Sequence, residues 1–181
     1  EVFNRFPRVV RDVSRELGKD IELKLSGAET ELDKSMVERL GDPLMHLLRN
    51  AMDHGLETTG ERIACGKPAR GSVSLAARHE SGSIVIEVRD DGRGLDRARI
   101  LQKAIEKGLV KESQSLEDGE VYQLILQPGF STAEKVTNLS GRGVGMDVVK
   151  SSIEALRGSI DIQSRPGDGT CMRLCLPLTL A

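Results

Sequence analysis

The sequence predicts a single α/β domain, and three observations carry that expectation. Apolar residues recur at helical spacing near 3–17, 34–55 and 149–156. They alternate with other residues near 21–25, 73–77, 84–88 and 160–176, the period of half-buried strands. The 181 residues suffice for one domain with a sizeable core.

Phe3, Phe6, Val10, Val13 and Leu17 form the first helical stripe, which Gly18 closes. Ile21, Leu23 and Leu25 then alternate with charged residues as a strand. From Lys34 to about Gly55 the pattern is helical again, and Asp42-Pro43 is expected to restart the helix as N-cap and first helical residue. Leu44, Leu47, Leu48 and Ala51 make its apolar stripe, while His46, Asn50 and Asp53 share a different face at spacings of four and three. Val73, Leu75 and Ala77, then Ile84, Ile86 and Val88, alternate on either side of His79-Glu80-Ser81-Gly82 and predict a hairpin. Period two puts Asp90 on the apolar side of the second strand. A buried acid needs a partner, none is evident nearby in sequence, and a ligand donor would satisfy it. Asp96 caps a helix running to about Lys107 and ending at Gly108. Residues 110–141 are polar and broken by Pro128, Gly129 and Gly141, apart from a short apolar helix near Val121–Leu126, and have the character of a lid. Val149, Ile153 and Leu156 mark a helix stopped by Gly158. Ile160 with Ile162, then Met172, Leu174 and Leu176, give two closing strands.

Composition narrows the function. Charged residues are 30% of the chain and the formal net charge is −2, which does not suggest nucleic acid or a membrane surface as partner. Aromatic residues are 2% with no tryptophan, so stacking platforms for single-stranded nucleic acid are lacking. No apolar run approaches the roughly 18 residues of a membrane span, and no signal peptide opens the sequence. Cys65, Cys171 and Cys175 lack metal-ligand spacing with His46, His54 or His79 and read as reduced thiols of a cytoplasmic protein. The start at Glu1, without methionine, is expected of a piece of something larger.

Three segments carry chemistry in a fixed order: HLLRNAMDHG at 46–55, DDGRG at 90–94 and GRGVGMD at 141–147. Asn50 offers a neutral oxygen to a magnesium ion, which on ATP takes only one or two protein ligands. His46, one turn earlier, is placed to touch the terminal phosphate, to ligate, or to act as an acid/base group near neutral pH. Asp53 and His54 are placed at the nucleotide with them. Asp90 suits adenine, because a carboxylate accepts from the exocyclic amino group and would repel the oxygen of guanine. Gly92 and Gly94 let the backbone pass close under the base, while Asp91, Arg93 and Arg49 read as surface charges. Gly141, Gly143 and Gly145 precede a helix and expose N–H groups to one anion, with Arg142 adding charge. Val144 and Met146 belong to the same loop. Arg99 and Lys103, one turn apart, are further candidates for phosphate contact. A Walker loop is absent, GRGVG follows a polar loop rather than a strand, and the protein-kinase motifs are missing.

The order and spelling of these motifs resemble the GHKL ATPase superfamily, and within it the ATP-binding catalytic domain of CheA-type chemotaxis histidine kinases. The resemblance runs through DPLMHLLRNAMDHGLE at 42–57, VRDDGRGLD at 88–96, PGFST at 128–132 and SGRGVGMDVVK at 140–150. It implies a two-layer sandwich, a mixed sheet with helices on one face and ATP between the helices and a mobile lid. It also implies that Asn50 holds magnesium, His46 lies at the γ-phosphate, Asp90 reads adenine, and Phe130, Ser131 and Thr132 belong to the lid. The implied partner is a histidine phosphotransfer domain, on the same protein or a dimer mate. In a full-length protein a dimerisation domain, coupling protein, chemoreceptors and response regulators join it. Ordinary sensor kinases usually carry an acid at the place of His46, which favours the chemotaxis branch. An ATP-driven clamp, as in gyrase-type relatives, needs a water-activating acid there. A non-catalytic nucleotide-binding module would be expected to have lost an acid or a glycine, and none is missing.

Overall fold

The computed structural model describes residues 3–130 and 145–178. Within them five strands form one mixed sheet in the order β1-β2-β3-β5-β4. β1 (Ile21–Ser26) runs parallel to β2 (Gly71–Glu80). β2, β3 (Ser83–Asp90), β5 (Gly169–Pro177) and β4 (Ser159–Arg165) are joined by antiparallel ladders. The β2–β3 turn is two residues long, with Ser81 at φ 49° and Gly82 at φ 80°, as the twist of a tight hairpin requires.

Register decides which side chains share a face. Leu75 lies opposite Val88, Ala77 opposite Ile86, Ile86 opposite Leu174, and Leu174 opposite Ile160. This apolar side packs against the helices in one buried cluster. The alternate row carries Arg78, Glu87 and Arg173, where Arg78 pairs with Glu87 and Arg173 with Glu80. One face is core and the other charged, so the architecture is two layers. Val73 lies opposite Asp90 on the core side, which puts the acid at the end of the apolar row.

α1 (Phe6–Leu17) buries Phe6, Val10 and Val13 and ends at Gly18, left-handed at φ 63°, whose N–H bonds back to the last turn. α2 (Lys34–Asn50) buries Met36, Leu40, Leu44, Leu47 and Leu48. It continues into a π-turn over Ala51–Gly55, followed by the short α3 (Thr59–Ala64). α4 (Arg97–Glu106) starts at Asp96, whose side chain accepts from the Arg99 N–H at 3.2 Å. α5 (Asp118–Gln123) runs into a 3-10 turn at Leu124–Leu126. α6 (Met146–Ala155) lies against α2 and buries Met146, Val149 and Ile153.

One expectation changes, and one element is not announced by the apolar pattern. Asp42-Pro43 does not restart a helix: α2 runs unbroken from Lys34, with Pro43 inside it and buried. An interior proline lacks the N–H of one helical bond and costs about 3 kcal/mol, which the burial of Leu40, Pro43, Leu44 and Leu47 along one stripe offsets. The pattern of apolar residues gives no sign of α3, although Thr58 and Glu61 form a reciprocal capping box at its start. Of the segment expected as a lid, residues 110–130 include α5 and bury Val121, Tyr122, Leu124, Leu126 and Phe130. Ser131, Thr132, Gly141, Arg142, Gly143 and Val144 lie outside the described residues.

Ile86 is 0% exposed at the centre of the sheet. Ile86→Ala is expected to cost about 2–5 kcal/mol of stability, because it removes buried methyl groups and leaves a cavity between sheet and helices. Urea unfolding of parent and variant measures the difference.

Candidate functional site

The π-turn is where the first two motifs meet. A helix that switches from i+4 to i+5 bonding displaces the residues beyond the switch, and such turns concentrate at functional sites. Here Leu56 N–H reaches back to Ala51 O at 2.9 Å. Gly55 ends the turn beside Asp90: a methyl group at Gly55 would lie 2.8 Å from Asp90 Oδ2. Gly92 is closer still, since a methyl group there would stand 1.9 Å from the Gly55 carbonyl oxygen. Arg93 N–H donates to that same carbonyl at 3.0 Å. A side chain is kept out of position 92 by the main chain of Gly55 and out of position 55 by the carboxyl of Asp90, at backbone angles any residue adopts.

Asp90 is 7% exposed. Its Oδ1 accepts from the Gly92 N–H at 2.9 Å, and a backbone bond from Thr170 adds a second donor. The partner that the sequence did not reveal is thus two residues away. Burial nevertheless dominates these bonds and pushes the carboxyl up to about 6, with the Asp91 and Glu57 charges adding to the rise. Because the folded value is raised, the stability linked to this group is fully present below the unfolded value of 3.8 and is lost as pH rises through about 6. An acid held in this way favours a state in which a ligand donor reaches the carboxylate.

The other end of the site is built by α2 and α6. Asn50 is the last residue of α2, and its Nδ2 donates to Met146 Sδ at 2.8 Å. Met146 opens α6, with Gly145 as its N-cap, so a residue of the third motif touches the first motif. His46 lies one turn before Asn50, half-buried. Desolvation lowers its pKa, which favours a neutral ring near pH 7. Asp53 sits beyond α2 on the π-turn, so helical spacing no longer sets its direction relative to His46 and Asn50. His54 beside it is 79% exposed, with Nε2 3.7 Å from Asp53 Oδ2.

The remaining candidates fall into two groups. Gly94 packs against the Arg165 carbonyl, where a methyl group would lie at 2.3 Å, and its φ of 77° suits glycine. Arg99 is exposed on α4. Lys103 Nζ lies 4.9 Å from the centre of the Phe130 ring, a cation–π contact. Lys107 holds the Gly129 carbonyl at 2.8 Å and also bonds the Phe130 carbonyl.

Several residues that shape the site carried no motif. Lys19 Nζ donates to the carbonyls of Met52, Asp53 and Leu56 at 3.0, 2.8 and 2.8 Å, tying the π-turn to the end of α1. Arg62, Glu57 and Lys67 form a buried ion network behind the Asp90 turn. Asp91, a surface charge by its sequence context, belongs to this network: Oδ2 takes Arg62 at 3.1 Å and Oδ1 takes the Ser72 N–H at 2.9 Å. The capping box at Thr58 was the signal available for this region.

Residues 39–180 match the family described as histidine kinase-, DNA gyrase B- and HSP90-like ATPase. The chain is 56% identical over 183 residues to the sensor histidine kinase CheAY of Helicobacter pylori, covering 100% of this chain and 23% of that protein. It is 51% identical over 182 residues to the chemotaxis protein CheA of Bacillus subtilis, covering 99% and 27%. The chain spans about a quarter of the length of these relatives. Among solved structures, full-length ShkA in complex with AMPPNP superposes with a TM-score of 0.60 at 18% identity, over 99% of this chain and 30% of that one. The catalytic domain of histidine kinase ThkA gives 0.55 at 17% identity, over 98% and 88%. These likenesses show the fold, and the sequence matches go further. With the acid, the asparagine and the glycines gathered around one helix end, the chain belongs to the histidine kinase-, DNA gyrase B- and HSP90-like ATPase family, on the side of the chemotaxis kinases.

Proposed function

We propose that this chain is the ATP-binding catalytic domain of a cytoplasmic chemotaxis histidine kinase, which passes the γ-phosphate of ATP to a histidine on a separate phosphotransfer domain. The observation that carries the reading is the convergence on the π-turn: Gly55 touches Asp90, while Asn50, just before the turn, touches Met146. Base-reading acid, metal-facing amide and phosphate-side helix thereby stand in one frame. In this reading the ionised Asp90 accepts from the adenine amino group, and the start of α6 faces the phosphates with its N–H groups.

Magnesium fits this donor set. No cluster of three His, Cys, Asp or Glu side chains is present among the described residues, so a cage of protein ligands is not what the site offers. An ion carried by phosphates needs only one or two protein ligands. Asn50 Nδ2 is engaged by Met146, which leaves Oδ1 as the atom it offers. When bound, the ion neutralises charge on the phosphates. His46, as a neutral ring, offers one nitrogen to accept and one N–H to donate beside them. In the full-length protein, dimerisation domain, coupling protein, chemoreceptors and response regulators would surround this step.

Asp90→Asn keeps shape and removes the charged acceptor. It is expected to weaken ATP binding by at least about tenfold, since hydrogen bonds to charged groups are worth roughly 1.5–3 kcal/mol. The variant is expected to remain folded, and its stability relative to the parent should rise between about pH 4 and pH 7, because only the parent must ionise a buried acid there. Isothermal titration and pH-dependent unfolding read the two effects. Unchanged affinity removes Asp90 from the site.

The chain should bind Mg-ATP and yet not phosphorylate itself. Phosphoryl transfer needs an attacking nitrogen in line with the leaving oxygen. His46 cannot swing into line from within α2 beside Asn50, His54 points to solvent at the π-turn, and His79 stands by the hairpin. Labelled ATP supplied to the chain alone, and then with a histidine-bearing phosphotransfer domain, should label only that domain. Stable phosphohistidine on the isolated chain contradicts the proposal.

A further inference from the structure

Four charges sit behind the turn that comes after Asp90. Arg62 is 1% exposed and still finds an acceptor in each direction. Its Nε donates to Pro68 O at 2.8 Å, one terminal nitrogen to Glu57 Oε1 at 3.0 Å and Asp91 O at 3.3 Å, and the other to Asp91 Oδ2 at 3.1 Å. Lys67 Nζ donates to Glu57 Oε2 at 2.6 Å, to Asp91 O at 3.1 Å and to Gly92 O at 2.8 Å. Two cations face two anions, Glu57 and Asp91, so the group is balanced.

Stability alone does not account for it. Buried ion pairs lose so much hydration that apolar replacements are often as stable. The destinations of the bonds are more informative. Three of them end on the main-chain carbonyls of Asp91 and Gly92. The Gly92 N–H is one of the two backbone donors that orient the Asp90 carboxylate, at 2.9 Å, the other coming from Thr170. Gly92 is therefore held at both of its polar groups, its N–H on Asp90 and its carbonyl on Lys67. If the carbonyls are released, the turn keeps the Asp91 N–H on Ser72 O at 3.2 Å and the Arg93 N–H on Gly55 O at 3.0 Å. The Gly92 peptide between them loses its anchor, and its N–H is less firmly aimed at the acid.

We propose that Lys67, braced by Glu57 and Arg62, is a positioning and specificity-determining residue, which holds the Asp90–Gly92 turn so that the carboxylate stays aimed at the exocyclic amino group of the base. The inference rests on the reading of Asp90 as the adenine contact. Lys67 touches no nucleotide and acts through the turn. Its loss should therefore blunt the choice of base more than the affinity for the rest of the nucleotide.

The test compares two ligands in the presence of magnesium: ATP, and purine-riboside triphosphate, which lacks only the amino group. Binding is measured for the parent, Asp90→Asn, Lys67→Met and Lys67→Arg, with thermal unfolding alongside. The parent should prefer ATP, and Asp90→Asn should lose that preference. Lys67→Met should weaken ATP by about tenfold and the purine-riboside analogue by no more than about twofold, with Lys67→Arg recovering most of the preference. Should the methionine variant not unfold cooperatively, Glu57→Gln, which frees Lys67 from its ion pair, is read on the same ratio with the same expected loss. Equal weakening of both ligands, or of neither, overturns the positioning role. A preference retained in Asp90→Asn instead overturns the base-reading assignment beneath it.

Discussion

Asp90 lies beneath Gly55 with no room for a β-carbon between them, and this contact sets how closely the end of α2 approaches the sheet. Gly92 and Gly169 press in from two other segments: a methyl group at Gly92 would stand 1.9 Å from Gly55 O, and one at Gly169 would stand 2.0 Å from Asp90 O. Gly55 and Gly92 thus close on the carboxyl itself, and Gly169 closes on the main-chain carbonyl of the same residue. Close main chain excludes water on these sides, which is why the carboxyl sits at about 6 despite two backbone donors. A carboxylate so placed has acceptor capacity to spare, and a donor on a ligand is the group that matches it.

The rest of the site depends on bringing that helix end down. α2 must bury Leu40, Leu44, Leu47 and Leu48 in the core and also deliver Gly55 to Asp90. A regular α-helix continued past Asn50 would carry residue 55 around in the 3.6-residue period. The π-turn changes that course within Ala51–Gly55 and leaves carbonyls that Lys19 gathers. At its other side Asn50 meets the first residue of α6, whose apolar stripe lies against α2. Core packing and site geometry therefore share one helix, and a change on one side is felt on the other.

Much of this is legible in the sequence, and the reasons are local. Alternation in 73–77 and 84–88 predicts the hairpin, and period two alone places Asp90 on the core side, as the register confirms. Gly18 and Gly108 mark helix ends, both at positive φ. The failures have physical causes too. Pro43 reads as a helix start because its local cost is visible, whereas the tertiary burial that overrides it is not. Nor does any sequence mark announce the π-turn over Ala51–Gly55 that follows the regular spacing of α2. Arg62, Lys67 and Lys19 look like ordinary surface cations, since many of their acceptors, the carbonyls of Asp91, Gly92, Met52 and Asp53 among them, come near only on folding. Asp91 misleads for the same reason: its partners are Arg62 and Ser72.

The central claim is that Asp90 is a desolvated acid waiting for a ligand donor. The most direct measurement is a carbon-detected NMR titration of its carboxyl, without and with saturating Mg-ATP. The account predicts a midpoint at about 6 in the free protein and a clear fall when nucleotide binds, because the adenine amino group favours the ionised form. A midpoint near the ordinary aspartate value, or one that ATP leaves in place, would contradict it.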